Sequence, residues 1–170
     1  MLVGFSGTGK SLVGRALAGR LGRCFVDTDE ELVRRFGMPI GEVFRRHGEA
    51  AFRAAEADEL ARACGRQGAV LSVGGGAIVP DAGFRLAREG NLVVRLTASP
   101  ETILRRLTEA PGAEERPMLA GERLLERITA LLAAREARYA EADATVDTEG
   151  RTVEQVVDAI VPLVEARWPG

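Results

Sequence analysis

The one lysine of this chain, Lys10, follows a glycine-rich segment whose spacing is typical of phosphate-binding loops. The segment Gly4-Phe5-Ser6-Gly7-Thr8-Gly9-Lys10-Ser11 fits the pattern G-x-x-x-x-G-K-[ST]. Glycines let the backbone curl so that successive N–H groups point at phosphate oxygens, and the following helix directs its positive end at the same anion. Lysine supplies a compact charge and serine a hydroxyl ligand for Mg²⁺. The segment predicts a nucleotide-phosphate site formed by Gly7, Thr8, Gly9, Lys10, Ser11 and Leu12.

The composition of the basic residues supports this prediction. Of 23 basic residues, 22 are arginine and only Lys10 is lysine. A planar, forked guanidinium is not equivalent to an ammonium inside a tight phosphate loop. A chance lysine in a glycine-rich turn is therefore the weaker alternative.

The remaining composition excludes several classes of function. The formal net charge of −2 gives no basic surface for nucleic acid, and no apolar run approaches the roughly 20 residues of a membrane span. The chain begins with no signal-peptide pattern, so we expect a cytoplasmic protein. Cys24 and Cys64 form no CxxC pair and are expected to be small buried residues, while the single histidine, His47, is expected at a helix end beside Gly48.

The order of predicted elements indicates the fold. Short apolar runs predict five strands, and amphipathic segments between them predict helices. The strands are expected at 2–5, 24–26, 69–73, 92–96 and 144–146. Alternating strands and helices imply a parallel sheet covered on both faces, so the chain is predicted to be a single three-layer α/β/α domain over residues 1–170. Residues 109–121 contain two prolines and two glycines and predict a mobile loop.

A pair of aspartates follows the second strand, at the sheet edge where ligands of open parallel sheets collect. Asp27 and Asp29 are spaced so that one can lie near a metal while the other accepts hydrogen bonds from a hydroxylated substrate. The alternative is that Asp29 only caps the next helix. The chain contains no N-K-x-D motif, which disfavours a GTP switch protein, and its third strand ends in Ser72 rather than in a metal-binding aspartate.

Taken together, the motifs resemble the shikimate kinase family. The resemblance spans Gly4 to about Val157. After the phosphate loop it comprises, in order, D-T-D at 27–29, G-E-A-A-F-R at 48–53, S-V-G-G-G at 72–76, R-P-M-L at 116–119, R-x-x-x-Y at 135–139 and V-D-T at 146–148. It implies a P-loop kinase fold with a mobile lid around residues 109–121, and MgATP-dependent phosphorylation of the 3-hydroxyl of shikimate.

The resemblance also implies roles for matching residues. Lys10, Asp29 and Arg116 are the catalytic set, with Asp29 as proton acceptor and Arg116 contacting the transferring phosphate. Ser11 and Asp27 hold Mg²⁺, and Arg151 lies near adenine. The shikimate site is formed by Asp29, Arg53, Gly74, Gly75, Gly76 and Arg135, with both arginines holding the carboxylate and the glycines offering backbone N–H groups.

Two departures from the family pattern and three rival functions bear on this interpretation. Leu12 replaces a frequent threonine, and Ala137 and Arg138 stand where a proline is usual near Arg135. The rivals are a gluconate kinase, a nucleoside monophosphate kinase and a non-catalytic nucleotide-binding module. We expect a monomer with ATP and shikimate as its small-molecule partners, and no nucleic-acid or membrane partner.

Overall fold

Five short strands form one parallel sheet in the computed structural model, which describes residues 1–109 and 123–168. The strand order is β2-β3-β1-β4-β5. In chain order the strands are β1 (Leu2–Val3), β2 (Phe25–Asp27), β3 (Val70–Ser72), β4 (Val94–Thr97) and β5 (Ala144–Asp147). The predicted five-stranded parallel sheet is therefore confirmed, although the first strand is shorter than expected because Gly4 turns away at φ 135°.

Seven helices accompany the sheet within the described residues. They are α1 (Lys10–Leu21), α2 (Thr28–Phe36), α3 (Ile40–Cys64), α4 (Asp81–Arg88), α5 (Pro100–Glu109), α6 (Leu124–Tyr139) and α7 (Val153–Arg167). Helix α3 is interrupted at Gly48, which has φ 78° and ψ 167°, so His47 lies at the end of its first half as expected. A positive φ of this size favours glycine. His47, just before this kink, is exposed and contacts the ring of Phe36.

The two faces of the sheet build separate cores. Leu2 points into a cluster with Leu17 of α1 and Ile160 of α7. Val3, the next residue, points to the opposite face and packs with Leu60 of α3 and Tyr139 of α6. This alternation along β1 is the period of a strand buried on both faces, and it produces the predicted three layers.

The register of the strands places the functional segments at one edge. Because β1 is the central strand, the loop that follows it leaves the middle of the sheet. Asp27, at the carboxyl end of β2, pairs with Ser72 at the end of β3. The loop, the aspartate pair and the three glycines therefore meet at the carboxyl edge, where open parallel sheets bind ligands.

Some sequence expectations differ from the structure. Cys24 is exposed rather than buried because it precedes the edge strand β2, and Cys64 is half-buried. Glu109, expected to begin a loop, is the last residue of α5, and the rest of the expected lid lies outside the described residues. In residues 1–109 and 123–168, the helices include none with the length and apolarity that crossing a bilayer requires.

Candidate functional site

The loop between β1 and α1 is curled by glycines. Gly7 and Gly9 have φ angles of 85° and 91°, and Gly9 immediately precedes the first residue of α1. The buried Thr8 hydroxyl donates to the carbonyl of Phe5 at 2.8 Å, and this hydrogen bond across the turn stabilises the conformation of the loop. The loop thus directs the N-terminus of a 12-residue helix at the cavity, as an anion site requires.

Lys10 is held beneath this loop. Its side chain is buried, and Nζ donates to the carbonyls of Gly4 and Phe5 at 2.9 Å each. Burial lowers the pKa of the Lys10 ammonium from its ordinary value, and the carboxylates of Asp29 and Asp27 oppose that shift. The loop therefore fixes one cation at the start of α1, facing two acidic side chains.

Asp27 connects the phosphate loop to α2. Its Oδ2 accepts from the Ser11 hydroxyl at 2.6 Å, and its Oδ1 accepts from the backbone N–H groups of Asp29 and Glu30 at 3.0 and 3.3 Å. Asp27, not Asp29, is therefore the N-cap of α2, which corrects the capping alternative for Asp29. Asp29 lies in the first turn of α2 and lines the cavity.

Gly74 brings two acidic side chains together. A methyl group added at Gly74 would lie 2.7 Å from Oδ1 of Asp29 and 2.9 Å from Oε1 of Glu56. Its N–H donates to Thr28 Oγ1 at 3.0 Å, and Gly74 is not among the residues that line the cavity. The predicted contact of the Gly74 N–H with a substrate is not supported by this geometry, because Thr28 already accepts that N–H. Gly75 and Gly76 do line the cavity.

The close approach at Gly74 gives a testable consequence. We expect Gly74→Ala to displace Asp29 or Glu56 and to destabilise the fold by about 1–3 kcal/mol, the usual range for overpacking a buried site. The midpoint temperature of thermal unfolding and the turnover rate should both fall. The matched control is Gly19→Ala in α1, where an added methyl meets no atom within 4 Å. A Gly74→Ala protein with unchanged stability and turnover would contradict this packing.

Arg53 extends from the second half of α3 to the third glycine. A methyl group added at Gly76 would lie 2.5 Å from Nη1 of Arg53, so glycine admits the guanidinium. Nη1 donates to Oε2 of the buried Glu56 at 2.7 Å. The guanidinium carbon also lies 5.4 Å from the ring centre of Phe52. Packing and an ion pair thus fix one end of this half-buried arginine.

Arg135 reaches the same cavity from α6. Its Nη1 donates to the carbonyl of Gly75 at 3.1 Å, and its guanidinium carbon lies 5.4 Å from the ring centre of Phe5. The hydroxyl of Tyr139 donates to the same carbonyl at 2.6 Å, and burial raises the pKa of this phenol. Since α6 continues unbroken through Ala137 and Arg138, the missing proline leaves Arg135 on a regular helix.

The opposite end of the cavity lies between α1, α5 and α7. Leu12, 66% exposed, and Arg151 line it, as expected for residues near a nucleotide. Arg106 donates from Nη1 to Thr148 Oγ1 at 2.8 Å and from Nη2 to the Thr148 carbonyl at 2.9 Å. Nη1 also lies 3.4 Å from the carbonyl of Gly7, so Arg106 links α5 to the phosphate loop.

A single cavity of about 1600 Å³ unites these groups. All the predicted site residues that the structure describes line it, except Gly74. Arg116 lies outside the described residues. The dimensions suit two ligands side by side, one at the phosphate loop and one between α3 and α6.

Glu56 and Arg106 are cavity residues that sequence reasoning missed and that contact residues near the predicted site. Glu56 follows Arg53 by three positions on one helix, a spacing that brings side chains together and could have indicated it. Arg106 carried no such signal, because one arginine among 22 is not distinguished until the fold brings it to Thr148. Both act on residues already predicted rather than forming a separate site.

Three kinds of comparison show which known proteins this chain resembles. The family model described as shikimate kinase matches residues 6–165. A shikimate kinase of Geobacter sulfurreducens is 46% identical over 164 residues, covering 96% of this chain and 89% of the relative. A shikimate kinase of Thermus thermophilus is 47% identical over 161 residues, covering 94% of this chain and 86% of the relative.

Solved structures agree with the sequence matches. The shikimate kinase of Acinetobacter baumannii in complex with shikimate superposes with a TM-score of 0.92 at 33% identity, covering 99% of this chain and 93% of that one. A gluconokinase of Sinorhizobium meliloti has a TM-score of 0.60 at 22% identity, covering 98% and 94% of the two chains. The gluconokinase likeness extends to the fold alone.

Proposed function

The chain belongs to the shikimate kinase family, and we propose that it transfers the γ-phosphoryl group of ATP to the 3-hydroxyl of shikimate, yielding shikimate 3-phosphate and ADP. This reaction is a step of chorismate and aromatic amino-acid biosynthesis. The observation that carries the proposal is that the phosphate loop with Lys10, the carboxylate residue Asp29, and the arginines Arg53 and Arg135 line one cavity.

Arg53 and Arg135 suit the carboxylate of the acceptor. A guanidinium binds a carboxylate through two parallel N–H bonds, and here two such groups face one cavity from α3 and α6. Gly76 leaves room for the first, and the carbonyl of Gly75 orients the second. Anchored by its carboxylate, the cyclic acceptor would present hydroxyls to Asp29, which lines the same cavity.

The transfer itself requires positioning, charge neutralisation and one proton acceptor. We assign Asp29 to accept the proton of the 3-hydroxyl of shikimate. The oxygen of that hydroxyl forms a bond to the γ-phosphorus. The bond from that phosphorus to the bridging oxygen breaks, and ADP leaves. Lys10 neutralises the phosphate charge from within the loop, and Arg116 is proposed to contribute a second cation. Arg106 and Arg151 line the end of the cavity that we assign to the adenine of ATP.

Ser11 and Asp27 fit a Mg²⁺ ion carried by ATP. Their oxygens lie 2.6 Å apart at the start of α1, and hydroxyl and carboxylate oxygens are the hard ligands that Mg²⁺ prefers. The described residues hold no cluster of three or more acidic, histidine or cysteine side chains suited to a metal. Magnesium usually keeps waters and phosphate oxygens among its ligands, so two protein groups suffice, and when bound it would neutralise phosphate charge.

Location and assembly remain predictions from the sequence. We propose a cytoplasmic monomer, as expected for the family, and the net charge of −2 favours small-molecule partners over nucleic acid. Size-exclusion chromatography with light scattering would determine the assembly.

The position of the transferred phosphate tests the proposed function. We expect ³¹P–¹H correlation spectra of the product to show coupling of one phosphorus to the proton at carbon 3 of the acceptor. Bidentate anchoring of the carboxylate and a single carboxyl acceptor at Asp29 favour one hydroxyl. Phosphate on another hydroxyl, or a mixture, would refute the assigned orientation.

A further inference from the structure

The guanidinium of Arg53 is contacted by two glutamates of its own helix with very different geometry. Glu56 accepts from Nη1 at 2.7 Å, and its side chain is only 5% exposed. Glu49 accepts from Nε and from Nη2 at 3.4 Å each, and its side chain is 70% exposed. The first contact is a short ion pair with a buried glutamate, and the second is a long contact near the limit of a hydrogen bond.

The two glutamates occupy different edges of the guanidinium. Nε and Nη2 form one of the edges at which two parallel N–H groups can bind both oxygens of a carboxylate. Glu49 places only one oxygen there. Because Glu56 already holds Nη1 at the other end, the Nε–Nη2 edge is the one left for a ligand. Glu49 lines the same cavity and therefore stands where a carboxylate ligand would pair.

We propose that Glu49 is an internal competitor for the carboxylate of the acceptor, occupying the Nε–Nη2 edge of Arg53 until the acceptor replaces it. This inference rests on the proposed function. A ligand carboxylate that makes two short bonds displaces a single distant oxygen, whereas a neutral polyol has no charge with which to do so. Glu49 thus contributes to selection of an acidic acceptor at a cost in affinity, with Glu56 keeping Arg53 in place during the exchange.

The size of the effect follows from the kind of contact. Exposed glutamate–arginine pairs four residues apart on a helix are weak, so removing the competitor should raise the affinity for the acceptor only about two- to threefold. We expect Glu49→Gln to lower both the KM and the calorimetric Kd for shikimate by that factor. The kcat and the KM for ATP should remain at the values of the unmodified protein, because the hydrogen bonds of Glu49 are with Arg53 and not with the phosphate loop.

The control is another glutamate of α3. Glu42, in the first turn of the helix, pairs with Arg46 four positions later and does not line the cavity. Glu42→Gln makes the same change of charge and should leave the KM for shikimate unaltered.

An unchanged or raised KM for shikimate in Glu49→Gln would overturn the inference, and so would an equal decrease in Glu42→Gln. Failure of the unmodified protein to bind shikimate would instead refute the proposed function, so the two failures are told apart by the unmodified protein alone.

Discussion

Replacing Lys10 with methionine is expected to lower kcat by about a hundred- to a thousandfold, the range seen when one charge-stabilising donor is removed from a preorganised site. Lys10 is the only lysine in the chain, and it lies buried at the point where the loop meets α1. Methionine keeps the length and apolar character of the stem but removes the charge. ADP release at saturating MgATP and shikimate measures the effect.

A second substitution separates loss of charge from loss of shape. Lys10→Arg keeps a positive charge, but the buried space beneath the loop holds an ammonium between the carbonyls of Gly4 and Phe5. We expect this variant to be strongly impaired as well, because a forked guanidinium does not fit that geometry. Thermal unfolding of both variants checks that the loop still folds. Full turnover by a folded Lys10→Met protein would contradict the assigned role.

Asp29→Asn should lower kcat by about a hundred- to ten-thousandfold, as loss of a general base does. The amide is close in shape to the carboxyl and so fits beside Gly74, but it does not accept a proton from a hydroxyl at neutral pH. The N-cap of α2 belongs to Asp27, so the helix should keep its start. Steady-state kinetics with both substrates varied measure this change.

Glu31→Gln supplies the control for Asp29. Glu31 lies two residues further along α2 and pairs with Arg34 at 2.7 Å, and it does not line the cavity. It loses the same charge from the same helix and should retain nearly full turnover. An Asp29→Asn protein that matches Glu31→Gln in kcat would show that Asp29 is not the proton acceptor.

The sheet was predictable because its signals are local. Apolar runs between glycine turns predicted all five strands, and buried parallel strands show such runs on both faces. The ends of elements were less predictable. Gly4 shortens β1 through its own backbone angle, and Asp27 rather than Asp29 caps α2 because its side chain reaches back to two N–H groups. Such details depend on side-chain rotamers that a hydrophobic pattern does not contain.

The candidate site divides in the same way. The phosphate loop is a continuous segment whose residue types alone predict its chemistry. Arg53 and Arg135 depended on family motifs, since single arginines are otherwise indistinguishable in this chain. Arg106 contacts Thr148, 42 positions further along the chain, and Gly74 packs against the carboxylates of Asp29 and Glu56, which lie 45 and 18 positions before it. Both features required the fold.

The most direct test of the central claim is the dependence of ADP release on the acceptor. Purified protein with MgATP is compared in the presence of shikimate, of gluconate and of no acceptor. The account predicts rapid ADP release with shikimate and only background release in the other two reactions. Release that is equal without an acceptor, or greater with gluconate, would contradict the assignment of the acceptor site to shikimate.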